Sequence, residues 1–148
     1  MVKLKQVWWL HVIANVETRI LSSETTYAAY LVFKLSKRSR TFDSKPVELH
    51  VHVAGQNGEV LNAFLDPASA VPPLPRGRGD GWMEIEMGEF FNEQGEDGLV
   101  WCNLREFSCS TSWCGLIVEG VEFRQPEYRI SKYNAWLCNV FSIIKTMM

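Results

Sequence analysis

The sequence lacks the cysteine and histidine spacings that mark a structural metal site or a disulfide framework. Its cysteines form neither a C-x-x-C motif nor a paired Cys/His pattern; they are Cys102, Cys109, Cys114 and Cys138. A chain of 148 residues buries about 68–70% of its unfolded surface on folding, so it has room for a core without covalent cross-links. We therefore expect one globular domain with reduced cysteines, no cofactor and no metal.

Signals for secretion and for membrane insertion are also missing. The apolar run at residues 7–13 is interrupted by His11 and precedes no small-x-small cleavage site. No N-x-S/T glycosylation acceptor occurs in the sequence. The apolar stretch at residues 135–144 is much shorter than the roughly 20 residues that span a bilayer. These absences predict an intracellular protein with no membrane partner.

An excess of positive charge is absent too. The net charge is −2, which gives no support for a nucleic-acid partner. The basic cluster within residues 34–40 is typical of a solvated loop, with a nuclear-import signal or a phosphate patch as the alternative. Residues 80–98, by contrast, hold seven carboxylates and no lysine or arginine. That acidic segment is the first candidate for chemistry.

Short segments of alternating polarity predict an all-β fold. The predicted strands are residues 7–13, 25–35, 46–53, 60–65, 82–87, 99–107 and 115–124. Residues 25–35 are apolar at nearly every position, which indicates a central strand covered on both faces. Residues 66–81 contain four of the six prolines and form a long loop. We expect an antiparallel β-sandwich, with a kink at Gly120 in its last strand.

The strand of residues 46–53 alternates strictly, so Glu48, His50 and His52 face away from its apolar side. Two histidines on one face can serve as metal ligands, although exposed histidines are more often solvated. Glu84 and Glu86 are similarly placed, about 7 Å apart by strand rise, within the range that glycoside hydrolysis requires. Alternating acids are nevertheless the ordinary polar side of a sandwich, and we expect these two to face solvent.

Two blocks of the sequence resemble the phloem protein 2 family of plants. The first is TRILSSETTYAAYLVFKL at residues 18–35, and the second is DGWMEIEMGEFFNEQGEDG at residues 80–98, followed by GLIVEGVEFR at residues 115–124. The resemblance covers about residues 4–125. It implies a jelly-roll β-sandwich over residues 1–125, followed by a tail, residues 126–148, that we expect to be a helix or a loose segment.

The resemblance also implies a function. Family members similar to the tobacco agglutinin are lectins of the nucleus and cytoplasm, and they bind N-acetylglucosamine oligomers or high-mannose N-glycans. Many relatives carry an F-box that links this domain to a ubiquitin ligase. This sequence contains no F-box, so the resemblance predicts a lectin-like, non-catalytic module with glycans or glycoproteins as partners. The ubiquitin-ligase link is implied only for the F-box relatives.

The sequence departs from the family pattern at positions that concern the sugar site. It begins after the family's opening Trp-Gly and Tyr-Trp motifs, so we expect a domain that is incomplete at its N-terminus. Leu99 stands where the family usually has a glutamate, and Trp113 is displaced by one residue from the family's tryptophan, a shift that would turn the ring to the other face of a strand. The glutamate of the family's Leu-x-Glu string survives as Glu106.

These matches give four candidate sugar-binding residues, which are Glu106, Trp113, Asp97 and Trp82. A sugar site needs an aromatic ring for the C–H face and carboxylates or amides for the hydroxyl groups. Glu106 and Asp97 would supply the carboxylates, and the two tryptophans would supply rings, although Trp82 also suits the core. Two alternatives to a lectin stay open. One is a protein-interaction module that pairs through an exposed edge or its tail, with a homodimer as one such pairing, and the other is a defective family copy.

Overall fold

The computed structural model describes residues 2–3, 10–53, 56, 58–93, 98–106, 112–126, 136–138 and 143–144. The strands are β1 (Val2–Lys3), β2 (Leu10–Glu17), β3 (Thr25–Arg40), β4 (Val47–Val53), β5 (Val60–Ala63), β6 (Arg76–Gly77), β7 (Met83–Asn92), β8 (Leu99–Glu106), β9 (Cys114–Arg124), β10 (Trp136–Cys138) and β11 (Ile143–Ile144). Two single turns of 3-10 helix, Thr18–Ile20 and Pro67–Ser69, are the helical elements within these ranges. No helix in the described ranges is long and apolar enough to cross a bilayer.

The strands form two antiparallel sheets packed as a sandwich. In the first sheet the order is β1-β9-β3-β7-β6, with β10 also paired to β9, and in the second it is β11-β2-β8-β4-β5. Apart from the β4–β5 hairpin, successive strands from β1 to β5 and from β7 to β9 alternate between the two sheets. This alternation is the connectivity of a jelly roll, and it confirms the predicted antiparallel sandwich.

The core lies between the sheets and is built by the predicted alternation. On β4, Val47, Leu49, Val51 and Val53 are buried, as expected. On β9, the predicted inward residues are also buried: Leu116, Val118, Val121 and Phe123. Residues with apolar side chains at every second position can therefore face a common interior from both sheets.

The central strand β3 is buried on both faces, as its composition predicts. Residues 27–33 are all buried, and β3 pairs with β7 on one side and with β9 on the other. The register against β9 shifts between Val32, which pairs with Gly120, and Phe33, which pairs with Val118. The predicted kink at Gly120 is thus a β-bulge, which leaves Glu119 without a counterpart on β3.

The described part of the segment after residue 126 differs from the prediction of a helix or a loose tail. Its two described pieces, β10 and β11, are strands that pair with β9 and β2 respectively. The roughly helical spacing of apolar residues suggested a helix, but an unpaired sheet edge offers the backbone hydrogen-bond partners that a strand requires. The remaining tail residues lie outside the described ranges.

Candidate functional site

A polar, partly aromatic surface covers the outer side of the second sheet. We call it the β8 face; it consists of His11, Ile13, Asn15, Glu48, His50, His52, Trp101, Asn103 and Arg105. It arises because β8 alternates: Val100, Cys102 and Leu104 are buried in the core, so the odd-numbered residues point outward. The three strands β2, β8 and β4 place their outward residues in rows across the sheet.

The middle of the β8 face combines an indole ring with amide and imidazole groups. Trp101 lies opposite Asn15 on β2 and opposite His52 on β4. In the next row, Asn103 lies between Ile13 and His50. Cross-strand partners have Cβ atoms about 4.5–5.5 Å apart, so the polar groups of a row can contact one ligand. The partly exposed indole provides an apolar surface between them.

An ion pair closes one end of the β8 face. The Nε of Arg105 donates a hydrogen bond to an Oε of Glu48 at 2.7 Å, and both side chains remain more than a third exposed. A pair with this exposure contributes at most about 1 kcal/mol to stability. Its main effect is to hold the Glu48 carboxylate toward β8, next to the row of Asn103.

A carboxylate also stands at the other end of the face. Glu17 lies directly opposite Leu99 and forms an ion pair with Arg19. These residues and Gly98 line a cavity of about 370 Å³. The backbone N–H of Thr18 donates to the carbonyl of Gly98 at 3.0 Å, which anchors the end of β2 beside this cavity.

The β2–β3 connection is fixed by one buried amide. The Nδ2 of Asn92 on β7 donates to the carbonyls of Thr18, Leu21 and Ser22 at 3.3, 3.4 and 2.9 Å respectively. A side chain that satisfies several loop carbonyls replaces the hydrogen bonds that a regular strand would supply. The position of Glu17 at the end of β2 therefore depends on β7 of the opposite sheet.

The two histidines predicted on β4 do point outward, with their ring centroids 6.0 Å apart. A metal site would need further ligands around them. Within the described ranges, no group of three or more histidine, cysteine, aspartate or glutamate side chains could hold a metal ion. The imidazoles of His50 and His52 can form hydrogen bonds on the β8 face.

Trp113 does not fit its predicted role as a sugar-facing ring. Its side chain is only 1% exposed, and its ring packs against Phe42 with the centroids 5.0 Å apart. The neighbouring backbone is held in place because Thr41 Oγ1 donates to the carbonyl of Ser112 at 2.6 Å. The indole therefore lies in the core, where it is unavailable to a ligand.

Glu106 and Trp82 are not brought together either: Glu106 lies in the second sheet and Trp82 lies next to the first. Glu106 is partly exposed and ends β8 opposite Leu10, on the side of the strand that faces away from Trp101. Trp82 is partly exposed immediately before β7, with Lys34 Nζ 4.2 Å from its ring centroid. Asp97 lies outside the described residues.

The acidic segment contains a buried ion-pair network, which corrects the prediction that Glu84 faces solvent. We call it the Arg124 cluster; its members are Tyr30, Glu84, Glu122 and Arg124. The guanidinium of Arg124 donates to Glu84 and, at 2.9 Å, to Glu122, and it stacks 3.7 Å from the ring centroid of Tyr30. Glu84 and Glu122 are each 6% exposed.

The cluster members perturb one another electrostatically. Burial alone would lower the pKa of Arg124, but its hydrogen bonds to Glu84 and Glu122 raise that pKa above the ordinary value. Burial raises the pKa of Tyr30, and the nearby Arg124 partly opposes this shift. A guanidinium held between two carboxylates is stably charged, so the cluster is suited to anchoring β3, β7 and β9 rather than to transferring protons.

The β8 face was not assigned from the sequence, although the signal was present. In LVWCNLRE, residues 99–106, the apolar residues Val100, Cys102 and Leu104 alternate with Trp101, Asn103 and Arg105. That alternation places the three side chains on one face of a strand. Which strands would lie on either side, and therefore which groups would surround Trp101, depended on the jelly-roll order.

Comparison with known proteins identifies one family whose members resemble this chain over most of its length. The sequence profile of the phloem protein 2 family matches residues 1–125. F-box protein PP2-B10 of Arabidopsis thaliana is 35% identical over 130 residues, a match that covers 82% of this chain and 47% of that protein. F-box protein At2g02240 of the same plant is 36% identical over 135 residues, covering 82% of this chain and 40% of that protein.

A third relative, F-box protein VBF of Arabidopsis thaliana, is 30% identical over 145 residues, covering 78% of this chain and 51% of that protein. The chain thus spans about half the length of the curated relatives it matches. About half of each of these longer proteins has no counterpart in this sequence.

Proposed function

The chain belongs to the phloem protein 2 family, and on this premise we propose that it is a non-catalytic carbohydrate-binding module. Its ligands are glycans that contain N-acetylglucosamine oligomers or high-mannose N-glycan cores, and it meets them on glycoproteins. The observation that carries this proposal is the β8 face, where Trp101 lies between an amide and an imidazole on neighbouring strands.

The β8 face has the groups that sugar recognition requires. A pyranose ring presents C–H bonds on one side, which pack on an aromatic ring such as Trp101. Its hydroxyl and acetamido groups exchange hydrogen bonds with amides and imidazoles, here Asn15, Asn103 and His52. Because the rows are spaced by the strand rise, about 6.6 Å for every second residue, adjacent rows can contact neighbouring parts of an oligosaccharide.

Carboxylates at the two ends of the face strengthen the proposal. Glu17 lies across from Leu99, so it offers a charged acceptor one strand away from the position where the family usually carries its glutamate. Charged acceptors form stronger hydrogen bonds with sugar hydroxyls than neutral ones do. Glu48, at the other end, is held by Arg105, which suits binding more than acid–base chemistry.

The test is a titration of the whole chain with chitotriose and with a mannose-rich N-glycan, followed by NMR or calorimetry. Shallow sugar sites have dissociation constants between micromolar and millimolar, corresponding to about −8 to −4 kcal/mol. We expect Trp101→Ala to weaken binding by at least about tenfold, or 1.4 kcal/mol, and Trp101→Phe to weaken it less. The matched control is Trp82→Ala, which removes a partly exposed indole from the other sheet.

Two results would contradict the proposal. One is the absence of binding at millimolar sugar by a sample whose circular dichroism and melting show a folded protein. The other is equal loss of binding in Trp101→Ala and Trp82→Ala, because a nonspecific loss of stability would then explain both. Retention of binding in Trp82→Ala together with its loss in Trp101→Ala places the sugar on the β8 face.

A further inference from the structure

The outer edge of β7 forms a surface separate from the β8 face. β7 pairs with β3 along its length, but on its other side it pairs with β6 only at Met83 and Glu84. From Ile85 onward, no strand within the described ranges pairs with this edge. We propose that the edge of β7 from residue 85 to residue 89 docks an extended peptide segment that carries lysine or arginine side chains.

One amide already occupies part of this edge in the manner of a neighbouring strand. The backbone N–H of Phe91 donates to Oε1 of Gln56 at 3.1 Å, and Nε2 of Gln56 donates to the carbonyl of Phe91 at 2.6 Å. A peptide group of an adjacent antiparallel strand would form the same reciprocal pair of hydrogen bonds. The Gln56 side chain therefore shows that the edge accepts an amide in strand geometry.

The next residue whose backbone N–H and C=O point out from this edge is Glu89. In an antiparallel strand, alternate residues direct their N–H and C=O to the same side, so Glu89 shares the outward direction of Phe91. Phe91 and Glu89 pair in regular register with Thr26 and Ala28 of β3, and the register shift comes only beyond Ala29. An extended peptide could thus continue the hydrogen bonding that Gln56 begins, as in β-strand addition.

A groove along this edge has room for side chains of the incoming segment. A cavity of about 390 Å³ lies between β7 and the β4–β5 hairpin, and its apolar lining comes from Val51 and Leu61. Gly88 contributes no side chain, and a Cβ at this position would lie 3.2 Å from Cγ2 of Val51. The volume falls within the range of small ligand pockets, so it suits one or two side chains of a peptide.

The charge of the groove selects the kind of peptide. Glu59, Glu86 and Glu89 line it, and its lining includes no lysine or arginine among the described residues. Burial raises the pKa of Glu86, and the negative charge of Glu89 raises it further, against a smaller opposing effect of Arg124. A lysine or arginine side chain would offset the repulsion between these carboxylates, whereas an acidic peptide would add to it.

The test uses the whole chain and a fluorescein-labelled peptide with the repeat Lys-Val-Lys-Val-Lys, measured by anisotropy. Two matched peptides accompany it: Glu-Val-Glu-Val-Glu, which reverses the charge, and a Lys-Val-Lys-Val-Lys peptide with N-methyl groups on alternate amides, which keeps the charge but cannot pair as a strand. We expect binding of the first peptide only.

Variants locate the binding. We expect Glu89→Lys to weaken binding of the lysine peptide by at least about tenfold, because it reverses a charge at the groove. Glu119→Lys is the control, since Glu119 is an exposed glutamate at the β9 bulge and carries the same charge change. It should alter the dissociation constant by less than about twofold, as expected for screened surface charge.

Each possible contrary result has a clear meaning. Equal weakening by Glu89→Lys and Glu119→Lys would show that the peptide responds only to net charge. Equal binding of the N-methylated peptide would show that no strand pairing occurs at this edge. Failure of the lysine peptide to bind at millimolar concentration would show that the glutamates and the register shift of β7 against β3 only protect the edge from aggregation. Any of the three overturns the proposal.

Discussion

Removal of the guanidinium in the Arg124 cluster is expected to destabilise the fold strongly. In Arg124→Met the aliphatic stem is largely kept, but Glu84 and Glu122 lose their shared partner. Both carboxylates are 6% exposed, so water cannot replace the lost hydrogen bonds without local rearrangement. Breaking a buried ion pair by deleting one member costs about 3–5 kcal/mol, because a buried charge is left unpaired.

The remaining partners reduce this cost. Arg78 stays 2.9 Å from Glu122, and Arg76 stays 3.7 Å from Glu84, although Arg76 is half exposed. We therefore expect the lower end of the range, about 3 kcal/mol, which is a large part of the roughly 5–15 kcal/mol that stabilises a typical domain. At about 2–4 °C per kcal/mol for a chain near this size, the melting temperature should fall by about 6–12 °C.

The measurement is urea unfolding at pH 7, followed by tryptophan fluorescence, on the wild type, Arg124→Met, Glu84→Gln and the double variant. Neutralising Glu84 in the Arg124→Met background should restore at least about half of the lost stability, since the unpaired charge is then gone. A loss below about 0.5 kcal/mol in Arg124→Met would refute the reasoning, because the pairs would then behave like solvent-screened surface pairs.

Two further predictions concern a core residue and a titrating residue. Trp113→Ala should cost about 3–5 kcal/mol in urea unfolding, and Trp113→Phe should cost less because its ring fills part of the cavity. Sugar affinity should be unchanged in the folded fraction of both variants. A loss of affinity without a loss of stability would contradict the core position of Trp113. Because the pKa of Glu86 is raised in the folded state, the stability it contributes is present below its unfolded pKa, about 4.3, and is lost as the pH rises through the folded value. Glu86→Gln should therefore raise the melting temperature at pH 7 relative to wild type, and the difference should shrink on acidification toward pH 4; a difference that grows on acidification would contradict this sign.

Sequence patterns predicted the sheet strands well because the order of apolar and polar residues within a strand is enough to show which face is buried. The alternation of residues 46–53 identified the buried valines of β4, and the continuous apolar run of residues 25–35 identified β3 as central. Side chains on a strand have a period of two, so their faces follow from local order alone. The extent of β7 was underestimated, because Gly88 interrupts the alternation at a bulge that only pairing with β3 reveals.

The candidate site was predicted less well because it depends on neighbours in space. Glu106 and Trp113 were selected from family strings, but the structure places the Trp113 ring in the core beside Phe42. Glu84 was expected to face solvent, since its strand alternates, and it does point away from the core. It is buried nonetheless, because Arg124 of β9 lies over it, and no local pattern links residues 40 positions apart.

The sequence by itself determined the β-sandwich class, the inward side of most strands and the family resemblance, because these follow from the order of apolar and polar residues along short segments. Tertiary structure alone decided which polar side chains meet. The jelly-roll order puts β8 between β2 and β4, so Trp101 is surrounded by Asn15 and His52, which lie 86 and 49 positions earlier in the chain. It also leaves the edge of β7 beyond Glu84 without a strand partner among the described residues, since the hydrogen-bonding capacity of an edge depends on what folds against it.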